Sequence, residues 1–217
     1  MRRALAEFFG TLILVATVIG SGIMATNLSH DVGVQLLINT VSTISVLAFI
    51  IAICGSTSGA HFNPLVSIWS RIHGQMSNGD LARYLVAQFA GGYAGALLAN
   101  AMFAHPLFEQ SKKERAGAPL YLSEIVATAG LMLAIGALSR KASSLSGTTL
   151  IPLWIGAAYF FTSSTSFANP AVTFARGWSN SFAGIAPRSI IFFVGAQCVG
   201  AIIGIFIAGL STINEEK

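Results

Sequence analysis

Charge is scarce in this 217-residue chain: 12 Lys and Arg and 8 Asp and Glu make 9% of it, where a soluble domain carries about 25%. So few ionic groups cannot solvate the surface of an ordinary water-soluble fold. Cysteine is nearly missing as well. Cys54 and Cys198 are the two present, both inside apolar stretches, and read as small packing residues rather than as a disulfide or metal site. His30, His61, His73 and His105 are scattered without metal-ligand spacing. No Gly-x-Ser-x-Gly or His-Glu-x-x-His occurs, and no apolar stretch holds paired carboxylates. These absences argue against an intramembrane enzyme and against a bound metal or other cofactor.

Apolar residues fill the space that charge leaves. The chain is 54% hydrophobic, with a mean hydropathy of +0.72. Stretches close to the roughly 20 residues that span a bilayer fall at about Ala4–Ala25, Val34–Cys54, Leu81–Phe103, Leu122–Leu138, Leu150–Ser166 and Ser189–Leu210. Six spans leave little room for a soluble domain. The net charge of +4 is spread over the connections, which reads as membrane topology and not as a nucleic-acid surface. Arg2, Arg3, Arg71, Arg83, Arg140, Lys141 and Lys217 would share one side, and Lys112, Lys113, Arg115, Arg176 and Arg188 the other. That bias favours cytoplasmic termini. Arg2 and Arg3 before an apolar run also suit a signal peptide, but no small-residue cleavage site leads into a mature soluble domain, so the first span is kept.

The chain also repeats itself. Asn63-Pro64-Leu65 returns as Asn169-Pro170-Ala171, an offset of 106 residues. Asn is a good N-cap and Pro suits the first helical position, so each box predicts a short half-helix whose free N–H groups and positive dipole end face inward. Glu7 in the first span answers Glu124 in the fourth, and Gln88 in the third answers Gln197 in the sixth, at offsets of 117 and 109. The halves, about 1–104 and 120–217 of a single channel-like domain, therefore align with small insertions. Three spans per half require the second half to lie inverted relative to the first, a plan used for moving solutes across membranes. A carboxylate in lipid needs partners, as does the bare backbone at a half-helix start. Glu7 and Glu124 are thus expected to accept hydrogen bonds from the segments entering the two boxes, with a proton relay as the rival. The dense glycines and alanines of the third and sixth spans predict close helix packing.

With both boxes in place, the chain resembles the aquaporin and aquaglyceroporin family of major intrinsic proteins. The likeness rests on Ala6-Glu7-Phe8-Phe9-Gly10-Thr11, Ser58-Gly59-Ala60-His61-Phe62-Asn63-Pro64, the two Ala-Gln-x-x-Gly segments and Phe167-Ala168-Asn169-Pro170-Ala171. It implies an all-α membrane fold of six transmembrane helices and two re-entrant half-helices. It also implies a bacterial inner-membrane homotetramer with one pore per subunit and no enzymatic activity. In that fold Asn63 and Asn169 turn their amides to the pore centre. Gly59, Ala60 and His61, and Ser166, Phe167 and Ala168, line the path with backbone carbonyls, and His61 takes the place of a pore-side histidine.

Two departures bear on the permeant. Leu65 replaces the alanine of the first box. The arginine that family members carry three residues after the second Asn is Val172 here. Counting from the boxes places the remaining filter residues at Thr43, Ala157 and Ser166, a quartet with no aromatic, histidine or positive charge. The expected pore is wide, passing water and small neutral solutes: glycerol, urea, hydrogen peroxide, arsenite and methylated arsenicals. An arsenic-resistance-associated bacterial subgroup resembles this chain in lacking the filter arginine. The alternatives are a water-selective aquaporin and, from another class, a proton-coupled secondary transporter, which shares inverted repeats and broken helices. Arg71-Ile72-His73 and the connection His105–Pro119 read as solvated connections in preference to lids.

Overall fold

Four of the chain's six prolines open a helix: Pro64, Pro119, Pro170 and Pro187. The ring fixes a helical φ and removes an N–H that has no partner in the first turn. The computed structural model describes residues 1–141 and 143–210; Lys217, counted above among the charges, lies outside them. The elements are α1 (Arg2–Leu28), α2 (Val32–Ser58), α3 (Pro64–Ile72), α4 (Asn78–Met102), α5 (Ala118–Ser139), α6 (Gly147–Phe161), α7 (Pro170–Arg176) and α8 (Pro187–Leu210). Every element among the described residues is helical. Side-chain caps start two of the long helices: Asp31 Oδ1 accepts from Val34 N–H at 3.0 Å, and Ser77 Oγ from Asp80 N–H at 3.1 Å.

Among the described residues, five helices are long and apolar enough to cross a membrane. The sixth, α6, has 15 residues and rises about 22 Å at 1.5 Å per residue. It ends at Phe161 rather than at the expected Ser166, because Thr162 takes extended backbone (φ −106°, ψ 140°); the chain then turns into the left-handed region at Thr165 (φ 63°), Ser166 (φ 50°) and Ala168 (φ 46°). Short α3 and α7 begin in the buried interior, with Asn63 and Asn169 as N-caps. The result is an all-α membrane fold of six apolar helices and two half-helices.

Glycine sets how closely the long helices pair. A Cβ on Gly91 of α4 would fall 2.2 Å from the Phe8 carbonyl oxygen of α1, and one on Gly200 of α8 would fall 2.4 Å from that of Ile125 in α5. Both pairs therefore pack backbone to backbone, as helices do where lipid supplies no hydrophobic drive between them. The core runs through the middle as Leu14, Val18, Leu47, Leu131, Ile155 and Val172. Phe9, Ile53, Val86, Ile191 and Phe206 stand exposed on the outside, an apolar exterior that suits lipid. Cys198 also faces outward, whereas Cys54 is half-buried; both are free thiols. Cys198 thus stands on the outer surface and is not packed in the core.

Candidate functional site: a conduit between two half-helices

The segments that enter the half-helices carry unusual backbone. Ala60 (φ 53°) and Phe62 (φ 49°) precede Asn63 as Ser166 and Ala168 precede Asn169. A left-handed non-glycine residue costs roughly 1–2 kcal/mol, so four of them need compensation. Glu7 supplies part of it. Fully buried, it accepts from His61 N–H at 3.0 Å and Ser58 Oγ at 2.7 Å through one oxygen. Through the other it accepts from Phe62 N–H at 2.7 Å and Gln88 Nε2 at 2.8 Å. Glu124 does the same on the other segment, accepting from Phe167 N–H at 2.9 Å, Ala168 N–H at 3.0 Å and Gln197 Nε2 at 2.6 Å. Charge-assisted bonds of this kind are about twice as strong as neutral ones. Tyr84 adds a bond from its hydroxyl to the Ser58 carbonyl at 2.7 Å.

The two asparagines hold the half-helices head to head. Asn63 Oδ1 accepts from Leu65 N–H at 3.0 Å, and its Nδ2 donates to the Ala168 carbonyl at 2.8 Å. Asn169 Oδ1 accepts from Ala171 N–H at 3.0 Å and Val172 N–H at 3.3 Å, and its Nδ2 donates to the Phe62 carbonyl at 2.7 Å. Each side chain thus caps its own helix and ties it to the opposite entering segment. An amide nitrogen carries two hydrogens, so each Asn keeps a second donor beyond the crosslink.

A cavity of about 400 Å³ passes both asparagines. Along α2 its wall runs from Thr43 to Gly59, about 24 Å of helical rise. Gly59, Ala60, His61, Phe167 and Ala168 all line it, although the Ala168 carbonyl is already engaged by Asn63. His61 keeps a ring nitrogen 3.0 Å from Ser67 Oγ. Pro64, Leu65, Pro170 and Ala171 are buried in the half-helices and form no part of the wall.

Of the four residues counted as a filter, Thr43, Ser166 and Val172 line the cavity. Ala157 does not; it is exposed on the outer face of α6. The correction follows from helical geometry. Ile151, Ile155 and Tyr159 recur every four residues and face inward, and a residue two places from Ile155 points about 200° away. Tyr159 holds the position assigned to Ala157, with its hydroxyl donating to Thr43 Oγ1 at 3.3 Å. Ser166 Oγ is buried and has no protein partner.

The quartet itself carries no positive charge, but the cavity wall does. Arg176, one turn beyond Val172, lines the same cavity and is 2% exposed. Its Nε donates to the Ala183 carbonyl, and its guanidinium carbon lies 3.3 Å from the Phe167 ring centroid. Arg115 approaches the same ring at 5.0 Å. Its N–H bonds Ser189 Oγ at 3.2 Å and its Nε the Gly184 carbonyl at 2.9 Å. Burial pushes this guanidinium down to about 10. The connection His105–Pro119 is therefore more than a solvated crossing. Ser111 N–H to the Gly177 carbonyl at 2.9 Å and Ala186 N–H to the Lys113 carbonyl at 2.7 Å sew it to the segment between α7 and α8. On the opposite side Arg71 bonds Asn78 and His73 caps α3, closing off their connection locally.

The family model described as Major intrinsic protein matches residues 1–168. Among curated proteins, the chain is 46% identical to "Aquaglyceroporin AqpS" of Rhizobium meliloti over 204 residues, covering 93% of the chain and 86% of that protein. It is 36% identical to "Aquaporin Z" of Brucella melitensis over 99 residues, 45% of the chain and 42% of that protein. Among solved structures, the fold matches the aquaglyceroporin from Plasmodium falciparum with a TM-score of 0.71 and 18% identity, covering 95% of each chain.

Proposed function

The chain belongs to the major intrinsic protein family, and from that premise we propose that it is a wide channel for glycerol- and urea-sized neutral solutes as well as water. Membership makes it a non-enzymatic membrane channel for water or small solutes. The finer reading rests on one observation above all: two half-helix starts meet at mid-cavity with Asn63 and Asn169 between them. Helix N-termini place positive potential where they meet, which opposes cations. The second hydrogen of each amide offers a passing oxygen a replacement for the water it leaves. A neutral hydroxylated molecule is compensated at every step, whereas an ion loses its hydration shell.

Val172 in the wall, where a guanidinium would project, favours solutes broader than water. The class includes glycerol, urea, hydrogen peroxide and trihydroxides such as arsenite, and extends to methylated arsenicals. The likeness to a bacterial aquaglyceroporin supports this over a water-selective pore. Glu7 and Glu124 act as fixed acceptors that hold the entering segments in their left-handed shape. The two halves are inverted repeats of one another, and the channel works as a homotetramer in the inner membrane with both termini in the cytoplasm. Stopped-flow swelling of proteoliposomes tests the permeant class. Glycerol and arsenite should enter well above the lipid background, and a pore that passes water but excludes both would refute the wide conduit.

A further inference from the structure

We propose that Arg176 sets the charge selectivity of this conduit, its guanidinium acting as a fixed cation in the wall that excludes cations while neutral solutes pass. The inference rests on the channel reading above and adds a residue to it. A guanidinium buried to 2% exposure in lipid-embedded protein needs a reason. Its side chain lines the cavity rather than closing a gap outside it. The ion pairs among the described residues are Arg83 with Asp80 and Arg188 with Glu114, so no described carboxylate neutralises Arg176 within 4.0 Å. Glu124, on α5, is already filled by two backbone N–H groups and Gln197.

The charge is also fixed in place. The Phe167 ring lies 3.3 Å beneath it, and the bond from Nε to the Ala183 carbonyl holds one edge. Arg115 sets a second guanidinium 5.0 Å from the same ring, without lining the cavity itself. Coulomb repulsion in a narrow, poorly solvated passage far exceeds its value in water. Ser166, whose buried hydroxyl lacks a protein partner, borders the same cavity and is the neutral position nearest in sequence to Phe167 at which a charge can be introduced.

Reconstituted full-length protein tests this by sodium flux and reversal potential, with glycerol swelling measured on the same vesicles. Wild-type vesicles should pass glycerol and remain as sodium-tight as bare lipid. Arg176→Gln should raise sodium entry by about tenfold or more. Arg176→Lys, and Arg176→Gln combined with Val172→Arg, should restore exclusion because each returns a cation to the wall; a strut that only braces the Ala183 turn would not be rescued by Val172→Arg. Should Arg176→Gln fail to fold, Ser166→Asp keeps the native arginine and adds a counter-charge in a left-handed position that Asp tolerates; sodium entry should rise there too. Sodium-tight Arg176→Gln or Ser166→Asp vesicles that still pass glycerol would overturn the role of Arg176 alone. Wild-type vesicles that pass neither water nor glycerol would overturn the channel reading itself.

Discussion

Glu7 and Glu124 pair a costly charge with a costly backbone. Neither is tolerable in lipid alone, and together they satisfy each other. Hydrogen bonds to a charged group contribute about 1.5–3 kcal/mol each. Glu124→Gln removes the charge and turns one acceptor into a donor facing Ala168 N–H, and should cost about 3 kcal/mol, lowering both yield and melting temperature in detergent. Normal yield and melting with a changed pH dependence of flux would instead favour the proton relay. The N-cap positions of Asn63 and Asn169 were legible in the sequence because Asn followed by Pro is a local signal. Tyr159 was not. Counting back from Asn169 ignores where α6 stops, and helix phase rather than distance along the chain decides which side chain faces the cavity. Arg176 was missed for a similar reason: a basic residue in a last helical turn ordinarily reaches solvent, and its burial depends on Phe167 and the distant Ala183 turn. Replacing Tyr159 with Ala should enlarge the passage there, raising permeability to glycerol relative to water. An unchanged ratio would remove Tyr159 from the narrow part.

At the scale of elements, two features do most of the positioning: half-helices crosslinked by asparagines and long helices seated on glycine. Asn169→Ala removes both a cap, worth about 1 kcal/mol, and the bond to the Phe62 carbonyl, worth about another. A lower melting temperature should accompany loss of flux. Gly91→Leu forces side-chain atoms onto the Phe8 carbonyl, and overpacking of this kind costs about 1–3 kcal/mol or more. Failure to fold, read as aggregation on size exclusion, is the expected result, and native melting would show that α1 and α4 can part without cost. The long spans were legible from hydropathy, because lipid leaves an uninterrupted apolar signal. The buried path of the connection carrying Ser111 and Arg115 was not, since its bonds to residues 177–189 join segments about 70 residues apart in the chain and leave no local pattern.

For the whole molecule, the repeated pairs Glu7 with Gln88 and Glu124 with Gln197 place the same polar cluster on each side of the cavity, and the half-helices point their starts at one another. That arrangement suits a continuous path better than alternating access, which needs a site that closes on one side as it opens on the other. The central claim is passive conduction of neutral solutes through a wall left open at Val172. Its most direct test is initial glycerol flux into proteoliposomes of the native protein and of Val172→Arg, measured across a range of glycerol concentrations with and without a proton gradient. The account predicts native flux that rises linearly with glycerol and ignores the gradient, and about a tenfold loss of glycerol flux in Val172→Arg with water flow retained. Saturating, gradient-driven uptake, or equal glycerol flux through both proteins, would contradict it.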